Sequence, residues 1–152
     1  FDMVAVAFSK GLGAPGGSAL AGSHELIAAA TRKRRMFGGA MRQTGIYAAA
    51  ALHGLDQHRA RLAEDHANAK RLAEMLAGSP AVQLDLRSVQ TNIVVFHLAP
   101  GAIDASTLVA QAKARGVLVG AFGPRIVRAV THLDVSASQI DRTGVVLREL
   151  LG

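Results

Sequence analysis

The residues with the clearest chemical potential lie in one short segment, residues 9–18, which reads SKGLGAPGGS. Lys10 follows the apolar run 3–8 after a single serine, and four glycines follow it. Glycine permits backbone dihedrals that are closed to other residues, so this loop can lie close to a ligand. Open α/β sheets bind their ligands at the carboxyl ends of their strands, and Lys10 lies just beyond the carboxyl end of this run. We interpret Lys10 as an amine that forms a Schiff base with pyridoxal 5′-phosphate (PLP).

Two phosphate-binding motifs compete with this interpretation. In a P-loop the lysine follows the glycines and precedes Ser or Thr, whereas Lys10 precedes its glycines. Residues 11–16 do spell G-x-G-x-x-G, the fingerprint of a dinucleotide site. However, Pro15 fits poorly in a turn that leads into a helix, and residues 19–22 have the pattern of a strand. The sequence therefore favours the Schiff-base lysine.

Composition narrows the class of protein. The chain has 152 residues, half of them hydrophobic, which is enough for one domain or two small lobes. It has no cysteine, which excludes disulfides and thiolate metal sites, and we predict no metal ligands. No apolar run reaches the roughly 18 residues of a transmembrane helix, so we expect a cytoplasmic protein with no membrane partner. Because the chain begins Phe1-Asp2 within a strand pattern, we expect a piece of a longer protein.

The formal charge of +6 raises an alternative from another class, a noncatalytic basic module that binds nucleic acid. The only dense basic run is Arg32-Lys33-Arg34-Arg35. The chain has one tyrosine, no tryptophan and no zinc-ligand pattern. We therefore interpret the arginines as solvated helix faces and expect no nucleic-acid partner.

The elements that must position Lys10 follow from hydrophobic periodicity. The continuous apolar run 3–8 predicts a strand buried on both faces of a mostly parallel sheet, and 19–22 predicts a second strand. Ser23 is a good cap for a helix over 24–36. A long helical pattern follows from about 46 to 77.

Residues 78–80, Gly-Ser-Pro, mark the best boundary in the chain. We therefore predict one domain over 1–79 and a small α+β domain over 80–152. Within the second domain the pattern predicts four strands and two helices, the last capped by Ser136: strands 82–84, 91–98, 117–119 and 126–132, and helices 105–115 and 137–151.

Five motifs in the same order resemble the low-specificity L-threonine aldolases, PLP-dependent enzymes of fold type I that are related to the β-eliminating lyases. The resemblance covers essentially the whole chain and matches the carboxyl-terminal part of longer subunits. The motifs are SKGLGAP at 9–15, GGAMRQ at 38–43, RLAEDHANA at 61–69, Thr91-Asn92, and RAVTHLDV at 128–135.

The resemblance implies an α/β fold, the end of the large PLP-binding domain plus a small carboxyl-terminal domain. It implies that Lys10 is the Schiff-base lysine and that Arg128 binds the substrate α-carboxylate. Arg42, and less directly Arg35, would reach a cofactor phosphate across a subunit interface. The family often has lysine at position 35 and glycine at position 40, so Arg35 departs from its pattern.

The implied activity is cleavage of L-threonine or L-allo-threonine to glycine and an aldehyde, by a homotetramer with sites between subunits. A β-eliminating lyase of the same fold is the alternative within the class. The family's phosphate loop, its ring-stacking group and the aspartate on the pyridine nitrogen lie upstream of these residues, so we expect this chain to be an incomplete catalytic unit. We interpret Asn92 as locally structural and assign no role to His58.

Overall fold

Residues 1–61 and 62–152 form separate units in the computed structural model, which describes all residues from 1 to 152. The sequence places the division later, after residue 79. The helix over 62–77 joins the second unit because it packs against elements of that unit. The assignment of 1–79 and 80–152 to the two domains of the family stays a prediction.

The first unit begins with two strands, β1 (Met3–Ala7) and β2 (Ser18–Gly22), on either side of the glycine-rich loop. They pair antiparallel, with Met3 opposite Gly22 and Ala7 opposite Ser18. The expected position of β1 within a mostly parallel sheet, buried on both faces, is wrong for this chain. The short loop brings β2 directly back beside β1, which can only give an antiparallel pair. Both strands pair with nothing else and are largely exposed.

Helices follow the hairpin, and the first has the predicted length. Helix α1 (His24–Met36) begins and ends where expected, and the Ser23 hydroxyl accepts a hydrogen bond from the Leu26 amide at 3.3 Å. The long helical stretch predicted over about 46–77 is interrupted from Gly54 onward, where the glycine suggests a bend. Helix α2 (Gly45–His53) runs into a π-helical turn (Gly54–His58), and a turn at 59–61 precedes α3 (Leu62–Ala77).

The second unit is an antiparallel sheet covered by helices on one face. Its elements after α3 are β3 (Val82–Gln83), β4 (Ile93–Leu98), α4 (Ala105–Ala114), β5 (Gly120–Gly123), β6 (Ile126–Val130) and α5 (Ala137–Leu151). The strand order is β3-β4-β6-β5, and α3 packs against β4 while α4 packs against β5. Helix α5 contacts both α3 and α4. None of the five helices combines the length and apolar composition that crossing a membrane requires.

Alternation along the central strands separates the two faces of this sheet. In β4, Val94, Phe96 and Leu98 are buried in the core, whereas Ile93 and Val95 are exposed. Full burial of a side chain as large as Phe96 stabilises the fold by about 1.5–3 kcal/mol. In β6 the same alternation buries Val127 and Ala129. It leaves Ile126, Arg128 and Val130 on the other face of the sheet, which no helix covers and which we call the open face.

The strand predicted at 117–119 is wrong, because the strand lies at Gly120–Gly123. Gly116 adopts a φ of 79° after α4, and Val117 then enters the core at 5% exposure. The ladder with β6 starts only at Gly120, which lies opposite Arg128. Val117 therefore packs into the core, and Leu118 remains 79% exposed, before the chain becomes a strand.

A buried polar connection joins β6, β4 and α3. Thr131 is 1% exposed, and its hydroxyl donates to the Asp65 carbonyl at 2.6 Å. The Asn92 side-chain amide donates to the Thr131 carbonyl at 2.7 Å, and the Thr131 amide donates to the Asn92 carbonyl at 2.9 Å. Asn92 thus has a structural role, as predicted, but its partner lies 39 positions away rather than nearby in the sequence.

Replacing Thr131 with valine removes this hydroxyl at nearly constant volume. We expect Thr131→Val to lower the free energy of unfolding by about 1–3 kcal/mol, since buried carbonyl groups lose a donor. Thr143→Val is the matched control, because that hydroxyl bonds to the exposed Gln139 carbonyl within its own helix. Equal urea midpoints for the two variants of the full-length protein would contradict the expectation.

Candidate functional site

Three backbone hydrogen bonds shape the loop that carries Lys10. The Phe8 amide donates to the Gly17 carbonyl at 3.0 Å, and the Ala14 amide donates to the Phe8 carbonyl at 3.0 Å. Within this frame the Gly13 amide donates to the Lys10 carbonyl at 2.8 Å. The Lys10 side chain is exposed, three residues after β1 ends. The loop thus fixes the backbone of Lys10 and leaves its amine accessible.

The π-helical turn holds this loop at Leu12, which is 7% exposed. The ring Nδ1 of His58 lies 2.8 Å from the Leu12 carbonyl oxygen. A carbonyl only accepts, so Nδ1 carries the hydrogen and donates it. Gly54 adjoins the same oxygen, since a Cβ added there would lie 2.6 Å from it. No local pattern predicts this role of His58, because the contact spans 46 positions.

A second close approach lies between the loop and α2. A Cβ at Gly16 would lie 2.7 Å from Cε1 of Tyr47, so only glycine allows the tyrosine ring to lie against the loop there. Gly17 has a φ of 99°, which disfavours other residues at this turn. An open cleft of about 920 Å³ lies between the loop, α1 and α2. Lys10 does not line it.

Arg35 and Arg42 also belong to the first unit, and both are exposed. Arg35 lies in the last turn of α1, and Arg42 lies in the bend before α2. Their neighbour Arg34 differs from them, because its Nε donates to the Gly39 carbonyl at 2.8 Å. Arg34 therefore stabilises the end of α1. No hydrogen bond or ion pair joins Lys10, Arg35 and Arg42 to one another.

The β5–β6 hairpin of the second unit carries two arginines with opposite surroundings. Arg125, in the turn, donates to the carbonyls of Leu98 at 2.9 Å and Ala102 at 3.3 Å, and also to the carbonyl of Ala99. Its guanidinium is therefore hydrogen-bonded to three backbone carbonyls. Arg128, in β6, is half-buried on the open face of the sheet and makes no hydrogen bond or ion pair within the unit. Its ζ carbon lies 5.0 Å from the ring centroid of Phe122.

Two exposed carboxylates of the second unit that cap helices have a lowered pKa. The Arg87 side chain lowers the pKa of Asp85, and the Ser106 hydroxyl, followed by Thr107, lowers the pKa of Asp104. Asp104 caps α4, so this carboxylate stays ionised and capping well below the ordinary pKa of aspartate. No group of three or more His, Cys, Asp or Glu side chains is arranged to hold a metal ion.

Most of the chain is similar to known proteins. The family model described as beta-eliminating lyase matches residues 1–99. The chain is 45% identical over 139 residues to the low specificity L-threonine aldolase of Escherichia coli strain K12, covering 91% of this chain and 40% of that protein. It thus spans about 40% of the length of such curated relatives.

Two solved structures share the fold. A proposed aromatic amino acid beta-eliminating lyase/threonine aldolase from Exiguobacterium sp. 255-15 superposes with a TM-score of 0.77 at 22% identity, covering 99% of this chain and 45% of that one. A proposed L-allo-threonine aldolase from Listeria monocytogenes EGD-E gives 0.75 at 22% identity, with the same coverage. The predicted fold class, the α/β fold of the PLP-dependent fold type I enzymes, is confirmed.

Gly54 offers a direct test of the loop anchor. We expect Gly54→Ala to lower the free energy of unfolding by about 1–3 kcal/mol, because the new methyl overlaps the Leu12 carbonyl. Gly45→Ala is the control, since nothing lies within 4 Å of its added Cβ and alanine favours the helix. Chemical denaturation of the two full-length variants measures the difference. Equal stability would show that Gly54 is not held against Leu12.

Proposed function

We propose, on the premise that this chain belongs to the beta-eliminating lyase family, that the full-length protein is a PLP-dependent lyase. Its reaction is cleavage of L-threonine or L-allo-threonine to glycine and an aldehyde. The observation that carries this proposal is the 45% identity to the E. coli low specificity L-threonine aldolase over 91% of the chain.

The first unit fits the attachment of PLP. Attachment needs an accessible amine on a backbone that does not move, and Lys10 provides both, because its loop is pinned at Leu12 by His58 and Gly54. When bound, PLP supplies an electron sink for the bond that breaks at the substrate α-carbon. Lys10 would hold the cofactor's aldehyde carbon and release it to the substrate amine. Arg42 and Arg35 would bind the phosphate of the cofactor held by a neighbouring copy, for which two exposed guanidinium groups without internal partners are suited.

Arg128 would bind the substrate α-carboxylate. A guanidinium presents parallel N–H donors that match both oxygens of a carboxylate, and this one is not occupied by another group of its unit. Two-point binding fixes the rotation about the substrate's N–Cα bond. By holding the carboxylate, Arg128 would set which substituent of the α-carbon is positioned for cleavage, the Cα–Cβ bond or the bond to another group.

The proposal also covers the oligomeric state, the cellular compartment, the metabolic role and the domains of the enzyme. We place Arg42 and Arg35 at a subunit interface of a homotetramer, where they reach the cofactor phosphate of the neighbouring copy. The protein would act in the cytoplasm, in threonine breakdown and glycine formation. Residues 1–79 would complete the large domain, and 80–152 would form the small one.

The family model favours one second candidate, β-elimination from an amino acid with a leaving group at Cβ. The two reactions use the same Lys10 and differ in products. Retro-aldol cleavage of threonine gives glycine and acetaldehyde, whereas elimination gives an α-keto acid and ammonia. Product analysis with L-threonine, L-allo-threonine and L-serine separates them, and keto acid without glycine would overturn the aldolase proposal.

Lys10 is tested through the visible absorption of lysine-bound PLP. We expect Lys10→Ala in the full-length protein to lose this band and to release no aldehyde, because no other amine occupies that loop position. Borohydride reduction and peptide mapping should place the cofactor on Lys10 in the unsubstituted protein. Lys113→Ala, which removes an exposed lysine of α4, is expected to leave the band unchanged. A retained band in Lys10→Ala would refute the assignment.

Arg128 is tested by a change that keeps its charge. We expect Arg128→Lys to lower kcat/KM for L-threonine by about 10- to 100-fold, since the paired N–H donors to a carboxylate are lost. The visible band should persist, because the cofactor is held elsewhere. Arg142→Lys, on the exposed face of α5, is the control. An unchanged kcat/KM in Arg128→Lys would remove Arg128 from the substrate site.

A further inference from the structure

Phe122 occupies an irregular position in the ladder beside Arg128. Strand β5 pairs with β6 at Gly120 opposite Arg128 and Ala121 opposite Val127, and then shifts register so that Gly123 lies opposite Ile126. Phe122 is the extra residue of this bulge and has no partner across the ladder. Bulges of this kind redirect a side chain and are frequent beside active sites.

The bulge brings the Phe122 ring over Gly120 and against Arg128. A Cβ at Gly120 would lie 3.6 Å from Cε2 and 3.8 Å from Cδ2 of that ring, which is ordinary contact distance. Since Gly120 is directly opposite Arg128 and has no side chain, the ring can reach the guanidinium, 5.0 Å from centroid to ζ carbon. This is within the range of a cation–π contact.

Burial alone does not explain this aromatic residue. Phe122 is 63% exposed, so it contributes little to the core. The hairpin that presents it is nevertheless well fixed, because Arg125 binds the backbone around Leu98 and the Ala105 amide donates to the Pro124 carbonyl at 2.9 Å. An exposed ring on an anchored hairpin is suited to holding a neighbouring side chain.

Contact with a ring leaves the guanidinium free to bind. The N–H donors of arginine point outward in the plane of the group, whereas an aromatic ring attracts the cation through its face. A ring contact therefore restricts the rotamers of Arg128 without using its donors. A carboxylate that binds a pre-oriented guanidinium orders fewer side-chain torsions on binding.

We propose that Phe122 is a positioning residue that holds the Arg128 guanidinium for the substrate α-carboxylate. This rests on the proposed function, in which Arg128 binds that carboxylate, and it adds the group that orients Arg128. The residue acts through Arg128.

The test compares Phe122→Leu with Phe122→Tyr in the full-length, PLP-loaded protein. Loss of a cation–π contact at an exposed site corresponds to a factor of about 2–5 in affinity. We expect Phe122→Leu to raise KM for L-threonine and the calorimetric Kd for glycine by that factor, with kcat unchanged. Phe122→Tyr keeps the ring and should match the unsubstituted protein. Leu118→Ala, which shortens a 79% exposed side chain of the same unit, is the control and should change neither value.

Two further measurements exclude a merely structural role. Methylamine is glycine without its carboxylate, so its inhibition constant should not change in Phe122→Leu. In an Arg128→Met background, which removes the cation, Phe122→Leu should add no further rise in the Kd for glycine, because the coupled partner is already gone. A full additional rise in that background, an equal loss in Phe122→Tyr, or an unchanged Kd in Phe122→Leu would each overturn the proposal.

Failure of the proposed function has a different signature. If the unsubstituted protein releases no aldehyde from threonine, the aldolase proposal falls. A Kd for glycine that still depends on Phe122 and Arg128 as described would then support the positioning role by itself.

Discussion

The hydrogen bond from His58 to the Leu12 carbonyl is the contact on which the candidate cofactor site depends. A loop with glycines at 11, 13, 16 and 17 loses much conformational entropy when it is ordered, and few side chains are present to offset that loss. One carbonyl, contacted by both a histidine ring and a glycine of the π-helical turn, provides a fixed point. Gly54 and His58 are the first and last residues of the π-helical turn, so the turn places both of them against this carbonyl.

The second unit contains two arginines, three residues apart, with different partners. Arg125 is held by backbone carbonyls and locks the hairpin to the chain that leads into α4. Arg128 is left without such partners and is held only by a ring. Arg125 thus stabilises the hairpin through hydrogen bonds, whereas the N–H donors of Arg128 are free to bind another group. The difference lies in backbone geometry. The turn directs Arg125 toward nearby backbone carbonyls, whereas Arg128 lies within a strand whose register with β4 is unbroken.

Features set by local sequence were predictable. The caps at Ser23 and Ser136, the two strands around the loop, and the core strands β4 and β6 follow from capping chemistry and alternation. Features set by distant contacts were not. The π-helical turn contacts Leu12, which lies far away in sequence, and β5 begins only where Gly120 pairs opposite Arg128 in another strand. His58 and Phe122 carry no local signal, because a histidine on a helix and a phenylalanine in a strand are both ordinary. For the roles of Lys10, Arg35, Arg42 and Arg128, sequence motifs remain the basis, and the structure adds their surroundings.

The hairpin of β1 and β2 has a consequence for how the chain behaves in solution. Each strand leaves its outer row of N–H and C=O groups unpaired, and Met3, Val4, Val6 and Leu20 project beside them with 42–51% of their surface in water. Unpaired edges beside aliphatic side chains are templates for adding strands from other molecules. Residues 1–152 produced by themselves should therefore self-associate through this hairpin, and charged substitutions at Val4 or Val6 would be the first remedy for handling them.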